Sequence, residues 1–115
     1  MLGGVPLHRD EIPPGTPYLL ILRTLARGGE MHGYEIADSI QRISEDVLQV
    51  EEGSLYPALQ RMLIKGWVTA EWKVSDNNRR ARFYKLTPEG RKQMSRELSE
   101  FERVMRAIAR VVQTA

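Results

Sequence analysis

The residue types best suited to binding chemistry in this sequence are basic side chains concentrated in one stretch. Residues 61–85 contain seven basic and two acidic residues, a net charge of +5, whereas residues 30–52 contain one basic and seven acidic residues, a net charge of −6. The whole chain has a formal net charge of only +2, so the total hides a polarised distribution. Clustered Lys and Arg can neutralise phosphates, which supplies much of the affinity of proteins for nucleic acids. The alternative is that these cations pair with the acidic stretch in the fold.

Side chains that can contact a nucleic acid occur in two groups. The first lies on one predicted helix and comprises Ser54, Tyr56, Pro57, Gln60 and Arg61. Gln and Arg are standard partners of base edges and phosphates. The second group is Arg79-Arg80, two guanidiniums suited to phosphates or to the minor groove. Tyr34 is a further candidate, whose hydroxyl can contact a phosphate or whose ring can pack within the fold. The alternative for each group is an ordinary solvated surface.

The residues required by most catalytic and metal centres are missing or isolated. The chain has no Cys, which excludes disulfides, thiolate metal sites and cysteine nucleophiles. Its two His, His8 and His32, are too few for a His-rich metal site, and neither neighbours a Ser or Asp that could complete a triad. No apolar run approaches the roughly 20 residues that span a membrane. The sequence therefore predicts a cytoplasmic protein that is not an enzyme and needs no cofactor.

Helical periodicity and helix breakers define the first half of the chain. Four of the six prolines lie within the first 17 residues, so residues 1–15 are predicted to form an extended, partly flexible arm. A first helix is predicted from about Thr16 to Arg27, and a second from about His32 to Ile43. A third follows an acidic, irregular segment.

The position of Pro57 predicts where the third helix begins. A proline inside a helix clashes with the carbonyl four residues earlier, which here belongs to Gly53. With Ser54 as the N-cap, Gly53 lies outside the helix and Pro57 falls in the first turn. The buried stripe is then Leu55, Leu59, Met62 and Leu63, and Gly66 ends the helix.

A β-hairpin is predicted next. Its strands are approximately Val68–Val74 and Arg82–Leu86, and residues 75–81 form a polar, basic connection rich in turn residues. Trp67 and Trp72 are predicted to pack within the fold, and the alternative is that either of them lines a ligand pocket. Phe83 and Tyr84 lie on opposite faces of the second strand, so one of them is predicted to pack in the core.

The last helix is predicted to begin with Thr87 as N-cap and Pro88 as its first residue, and to reach about Gln113. Its apolar residues are spaced like a coiled-coil seam: Met94, Leu98, Phe101, Met105, Ile108 and Val112. We expect this seam to form a dimer interface. The alternative is that it folds back onto its own domain, most readily at Met94 and Leu98.

The order helix, helix, helix, hairpin, helix is that of a winged helix-turn-helix. The fold class is therefore mainly α with a small β-hairpin (α+β). Residues 16–87 are predicted to form a DNA-binding domain and residues 88–115 a long dimerisation helix. In this fold the third helix enters the major groove and the hairpin tip contacts the flanking backbone.

Four sequence blocks resemble PadR-type transcriptional regulators. Met31-His32-Gly33-Tyr34-Glu35-Ile36 resembles the family's entry into its second helix, and Glu52-Gly53-Ser54-Leu55-Tyr56-Pro57-Ala58-Leu59 is similar to the start of its third. Gly66-Trp67-Val68 fits the turn into the wing, and the segment from Arg79 to Gly90 resembles the exit into the last helix. The blocks occur in the family's order over residues 16–113, and the length resembles its short branch, which has a single C-terminal helix.

The resemblance implies a homodimeric winged-helix repressor, released from its operator by a ligand or stress signal. A dimer that reads two half-sites implies a palindromic operator on double-stranded DNA. The sequence shows no thiol and no metal cage, so a small-molecule effector or a partner protein remains by elimination. Two other hypotheses stay open: a winged-helix adaptor that binds an acidic protein partner, and an RNA-binding module.

Overall fold

A computed structural model describes residues 5–6 and 16–114 of this chain. Its elements are a short strand β1 (Val5–Pro6), α1 (Thr16–Gly28), β2 (Met31–His32), α2 (Gly33–Ile43), β3 (Leu48–Gln49), α3 (Glu52–Ile64), β4 (Val68–Val74), β5 (Arg80–Leu86) and α4 (Pro88–Gln113). The predicted arm at residues 1–15 lies outside the described residues, apart from β1, which pairs in parallel with β3. None of the described helices is long and apolar enough to cross a membrane.

The fold is mainly helical with a small antiparallel sheet, which confirms the predicted class. The sheet has three strands in the order β2-β5-β4, so the hairpin gains a strand that the sequence analysis did not predict. In β2, Met31 lies opposite Tyr84 and His32 lies opposite Phe83. Two residues are too few to show the alternation by which a strand is recognised.

The core lies where α1, α2 and α3 meet the base of the hairpin. Its fully buried large side chains come from all three helices: Leu22, Leu25, Ile36, Leu55, Leu59 and Met62. The sheet contributes Val68, Tyr84 and Leu86. Burying each large apolar side chain contributes roughly 1.5–3 kcal/mol. This core fixes α3 by one face and leaves its opposite face exposed.

The start of α3 differs from the prediction. Glu51, not Ser54, is the N-cap residue, and Ser54 lies in the first turn, where its N–H donates to the Glu51 carbonyl at 3.0 Å. The N–H of Leu55 donates to the same carbonyl at 2.9 Å, so the earlier start satisfies two backbone donors. Pro57 is consequently an internal helical residue, and the carbonyl of Gly53 cannot receive the usual hydrogen bond from it.

The hairpin is longer than predicted on its second strand. That strand begins at Arg80 rather than Arg82, and Arg80 pairs with Val74. The loop is therefore residues 75–79, and of the two arginines expected in it only Arg79 lies there. Each added pair satisfies backbone donors and acceptors, which accounts for the extension.

α4 begins as predicted, with Thr87 as N-cap accepting a hydrogen bond from the N–H of Gly90 at 3.0 Å. A helix of 26 residues is about 39 Å long. Met94 packs against the core and Leu98 is half-buried. The rest of the seam is between 40% and 74% exposed: Phe101, Met105, Ile108 and Val112. The first turns of the seam thus pack within the chain, and no described residue covers the distal part.

The junction of α4 with the hairpin leads to a stability prediction. A Cβ added to Gly90 would lie 2.1 Å from the carbonyl oxygen of Trp67, which also accepts a hydrogen bond from the N–H of Thr87. The backbone cannot move away without losing that bond. We expect Gly90→Ala to lower the free energy of unfolding by about 2 kcal/mol, as overpacking typically does. Urea denaturation of the variant and of the wild-type protein measures this difference in the free energy of unfolding.

Gly53→Ala is the matched control, because a Cβ added there meets no atom within 4 Å. Its free energy of unfolding should be equal to that of the wild-type protein or higher, since alanine favours the helix. Wild-type stability of Gly90→Ala would show that the junction can rearrange freely.

Candidate nucleic-acid interface

A groove of about 740 Å³ lies between the amino-terminal ends of α2 and α3 and the tip of the hairpin. Tyr34 and Tyr56 line its helical side, and Trp72, Arg79 and Arg80 line its hairpin side. The groove therefore combines aromatic rings and guanidinium groups from elements that are far apart in sequence.

Tyr56 is held in the groove by a glycine. Gly33, the first residue of α2, is buried, and a Cβ there would lie 2.8 Å from the ring and hydroxyl of Tyr56. Only a residue without a side chain allows the ring this position. Burial raises the pKa of the Tyr56 hydroxyl, and the nearby Glu52 and Tyr84 raise it further. The hydroxyl is thus protonated at neutral pH and can donate a hydrogen bond to an anion.

Tyr34 lies at the surface beside the N-cap of α2. The His32 side chain accepts a hydrogen bond from the N–H of Glu35 at 3.3 Å, and the Glu35 carboxylate accepts one from the N–H of His32 at 3.1 Å. Tyr34 is 74% exposed and stacks on the capping imidazole, with ring centroids 6.4 Å apart. Its ring is therefore available at the groove and is not part of the core.

One face of the hairpin changes from apolar at its base to basic at its tip. Val68 and Tyr84 are buried on this face near the core. Towards the tip, Trp72 lies opposite Arg82, and the guanidinium of Arg80 is 5.4 Å from the centroid of the Trp72 ring. A cation over an indole face is attracted by the ring quadrupole, so this contact orients Arg80 beside the groove.

The two tryptophans have different surroundings. Trp67 packs edge-to-face on Tyr18 with ring centroids 5.8 Å apart, which confirms the prediction for this residue. Trp72 is 56% exposed, so the prediction that it packs within the fold was wrong. Trp72 shares a strand face with buried Val68, but the strand extends past the end of the core.

Among residues 5–6 and 16–114, one cation of the hairpin forms an ion pair with the acidic stretch. Lys73 pairs with Glu30 and Glu71, and its hydrogen bond to Glu30 raises the pKa of the Lys73 ammonium. Within the described part of the chain, neither Arg79 nor Arg80 forms an ion pair with an acidic residue. Among the described residues, the interpretation of the basic stretch as internal charge pairing therefore holds for one cation, Lys73.

The exposed face of α3 carries the remaining candidates. Pro57, Gln60 and Arg61 are exposed, opposite the buried leucines of the helix. Ser54 is half-buried in the first turn and caps nothing. The structure thus brings four of the eight predicted contact residues to the groove: Tyr34, Tyr56, Arg79 and Arg80. The other four lie along α3 outside its lining.

Sequence comparison decides the family. The sequence model of the PadR-like family of transcriptional regulators matches residues 21–96, more than half of the chain. The chain belongs to this family. A transcriptional regulator of Mycobacterium tuberculosis is 31% identical over 83 residues, which cover 72% of this chain and 74% of that protein.

Solved structures of transcriptional regulators share the fold. A transcriptional regulator from Clostridium thermocellum superposes with a TM-score of 0.78 at 27% identity, covering 86% of this chain and 95% of that one. A PadR family regulator from Clostridium difficile has a TM-score of 0.70 at 26% identity, covering 84% and 97%.

Eight residues that line the groove of this PadR-like chain were not among the predicted contacts, and Trp72, Asn77 and Arg82 are three of them. Arg82 and Asn77 lie within the basic hairpin segment, so extending the candidate set to the whole hairpin would have included them. Among the described residues, no group of three or more His, Asp or Glu could hold a metal ion. The groove's binding chemistry is that of aromatic, amide and guanidinium groups.

Proposed function

We propose that this chain is a sequence-specific DNA-binding regulator that acts in the cytoplasm as a homodimer on a palindromic operator, and that it is a repressor. The observation that carries the proposal is that two surfaces suited to DNA lie next to each other. The exposed polar face of α3 adjoins a groove whose far side is the arginine-bearing hairpin tip. Membership of a family of transcriptional regulators supports it.

The two surfaces have complementary roles in binding a duplex. A major groove about 12 Å wide admits an α-helix, so α3 can present Gln60 and Arg61 to base edges. Arg79 and Arg80 then contact phosphates of the adjacent strand, together with the protonated hydroxyl of Tyr56. Contacts to phosphates fix the position of the protein, whereas contacts to base edges select the sequence.

Dimerisation supplies the symmetry of the operator. We propose residues 16–87 as the DNA-binding domain and residues 88–115 as the dimerisation helix. The exposed distal seam of α4 supports this division, because an apolar stripe on a projecting helix gains stability when a second copy covers it. Two copies of α3 must then lie about 34 Å apart to occupy successive turns of one DNA face.

A second groove supports control by a small molecule. It has a volume of about 490 Å³, within the range of ligand pockets, and lies between α1, α2 and α4. Leu98 and Phe101 of α4 line it together with Leu19 and Ile40 of the DNA-binding domain. A ligand that binds one arrangement of α4 more tightly than another would favour that arrangement. The distance between the two α3 helices of the dimer would then change.

The direct test is selection of bound fragments from the source genome, followed by mobility-shift assays with the selected duplexes. Enrichment of fragments that share a palindrome supports the proposal. Preferential retention of RNA of the same sequence would favour an RNA-binding module instead. Absence of binding to both, with capture of an acidic protein, would favour an adaptor.

The reading role of α3 gives a further prediction. Gln60→Ala and Arg61→Ala should each reduce the preference for operator over random DNA by about 1–3 kcal/mol, the discrimination of a good base contact. Affinity for random DNA should change less. Competition titrations with both duplexes measure the ratio, and Arg96→Ala, an exposed arginine on α4, serves as the control. Full operator preference in both α3 variants would assign the reading role to another element.

A further inference from the structure

The groove between α1, α2 and α4 has mainly aliphatic walls. Helix α1 contributes Leu19, helix α2 contributes Ile40 and Ile43, and helix α4 contributes Leu98 and Phe101. Of the described residues in this lining, Phe101 alone has an aromatic ring. The groove therefore offers no second ring on which a flat ligand could stack, and its walls suit a flexible hydrocarbon chain.

Two hydroxyl groups of the same lining already have partners within the chain. The Thr24 hydroxyl donates a hydrogen bond to the Leu20 carbonyl at 2.7 Å. The Ser44 hydroxyl accepts a hydrogen bond from the N–H of Leu48 at 3.0 Å. Because these hydroxyls are engaged, a polar ligand group must find its partners elsewhere in the groove.

Three arginines supply those partners, Arg23 and Arg27 on α1 and Arg42 on α2. None of the described residues in the lining is acidic. The Nε of Arg42 lies 3.8 Å from the carboxylate of Asp38, on the same helix. Within residues 16–114, neither Arg23 nor Arg27 forms an ion pair with an acidic residue. The charge that lines the groove is therefore positive and is not neutralised at α1.

Arg23 and Arg27 also repel each other. They are exposed and lie four positions apart on α1, which places them on one face of the helix. Like charges at this spacing destabilise a helix. A bound anion relieves this repulsion, and the hydrogen bonds between a guanidinium and a carboxylate are stronger than those between neutral groups. The pair is thus suited to an anionic ligand group.

We infer that the effector of this groove is an aliphatic carboxylate, with its hydrocarbon chain along the apolar walls and its carboxylate at Arg23 and Arg27. This inference rests on the proposed function, in which a ligand in the groove changes the distance between the two α3 helices. A ligand of this kind contacts α1 and α2 of the DNA-binding domain and Leu98 and Phe101 of α4 at once. Its binding therefore depends on how α4 is arranged against that domain.

The direct test is isothermal titration calorimetry of the full chain with decanoate, at concentrations below those at which it forms micelles. Three further probes each change one feature of the ligand. Octanoate shortens the chain by two methylenes, decan-1-ol removes the charge, and decyltrimethylammonium reverses it. We expect octanoate to bind about 15-fold more weakly than decanoate, because each buried methylene contributes a factor of about four. Decan-1-ol should bind about tenfold more weakly than decanoate, and decyltrimethylammonium more weakly still.

A double variant, Arg23→Gln with Arg27→Gln, separates recognition of the charge from recognition of the chain. Both side chains are exposed, so the variant should fold with the circular dichroism of the wild-type protein. It should bind decanoate about tenfold more weakly and decan-1-ol with wild-type affinity, a difference that loss of structure would not produce. The matched control is Arg91→Gln with Arg96→Gln, which removes two exposed charges of α4 outside this groove. The control should bind decanoate like the wild-type protein.

The affinity for the operator is the second readout. Saturating decanoate should weaken binding of the wild-type protein to the selected operator about tenfold, within the usual range of coupling between two sites. The operator should weaken decanoate binding by the same factor, because such coupling is reciprocal. Without decanoate, the Arg23 and Arg27 double variant should bind the operator like the wild-type protein. Its release should require about tenfold more decanoate.

Four outcomes would overturn the inference while leaving DNA recognition intact. They are no binding of decanoate, equal affinity for decanoate and decan-1-ol, equal affinity of the two double variants for decanoate, and decanoate binding that leaves the affinity for the operator unchanged. A wild-type protein that binds all duplexes equally in the absence of decanoate would overturn the proposed function instead, whatever its affinity for the carboxylate.

Discussion

Replacing Arg79 and Arg80 together by Ala is expected to weaken binding to operator and to random duplex by the same factor, roughly 60-fold at 0.1 M salt. Each phosphate contact contributes about 0.9 to the slope of log affinity against log salt, so the slope should fall by about two units. Arg79 lies in the loop and Arg80 stacks on Trp72, and both face the groove. Anisotropy titrations of both duplexes at several salt concentrations measure the two quantities.

The matched control removes the same formal charge elsewhere. Lys92→Ala with Arg96→Ala deletes two exposed cations of α4 that do not line the groove. Its salt slope should stay close to that of the wild-type protein. If the hairpin variant also keeps the wild-type slope, the hairpin is not part of the interface.

The order of elements could be predicted from the sequence because their boundaries are encoded locally. Thr87 and Pro88 define the start of α4 through capping and backbone geometry, and Gly66 permits the left-handed turn after α3. The start of α3 could not be predicted in the same way. Ser54 and Pro57 fit a cap and a first turn by residue type, but the helix gains backbone hydrogen bonds by starting at Glu52.

The groove was less predictable than the fold because tertiary contacts form it. The position of Tyr56 depends on the absence of a side chain at Gly33, a residue on another helix. Trp72 follows the strand alternation that would place it in the core, and only the length of the strand beyond the core exposes it. Arg79 and Arg80 could be predicted from the sequence to lie on an exposed basic surface. The tip of a hairpin projects from a small domain whatever the packing of the core.

The second large effect is expected at the distal seam of α4. Phe101, Met105, Ile108 and Val112 are exposed in the chain, so a second copy is the proposed cover. A symmetric dimer would bury these four side chains in both copies. Each buried side chain would stabilise the dimer by roughly 1.5–3 kcal/mol. Ile108→Glu would bring a carboxylate from each copy into that seam. We expect the burial of these two carboxylates to cost about 4 kcal/mol. Dimerisation should therefore weaken about a thousandfold.

Sedimentation at micromolar concentration should therefore show Ile108→Glu as a folded monomer, and Met105→Glu likewise, with the circular dichroism of the wild-type protein. Ser99→Glu is the matched control, because Ser99 lies on a polar face of α4 with Arg96 and Arg103, where a carboxylate remains solvated. It should sediment as a dimer. The monomers should bind one half-site weakly and lose the affinity gained from engaging two half-sites at once. Wild-type mass with intact operator affinity in Ile108→Glu would place the dimer contact away from the distal seam of α4.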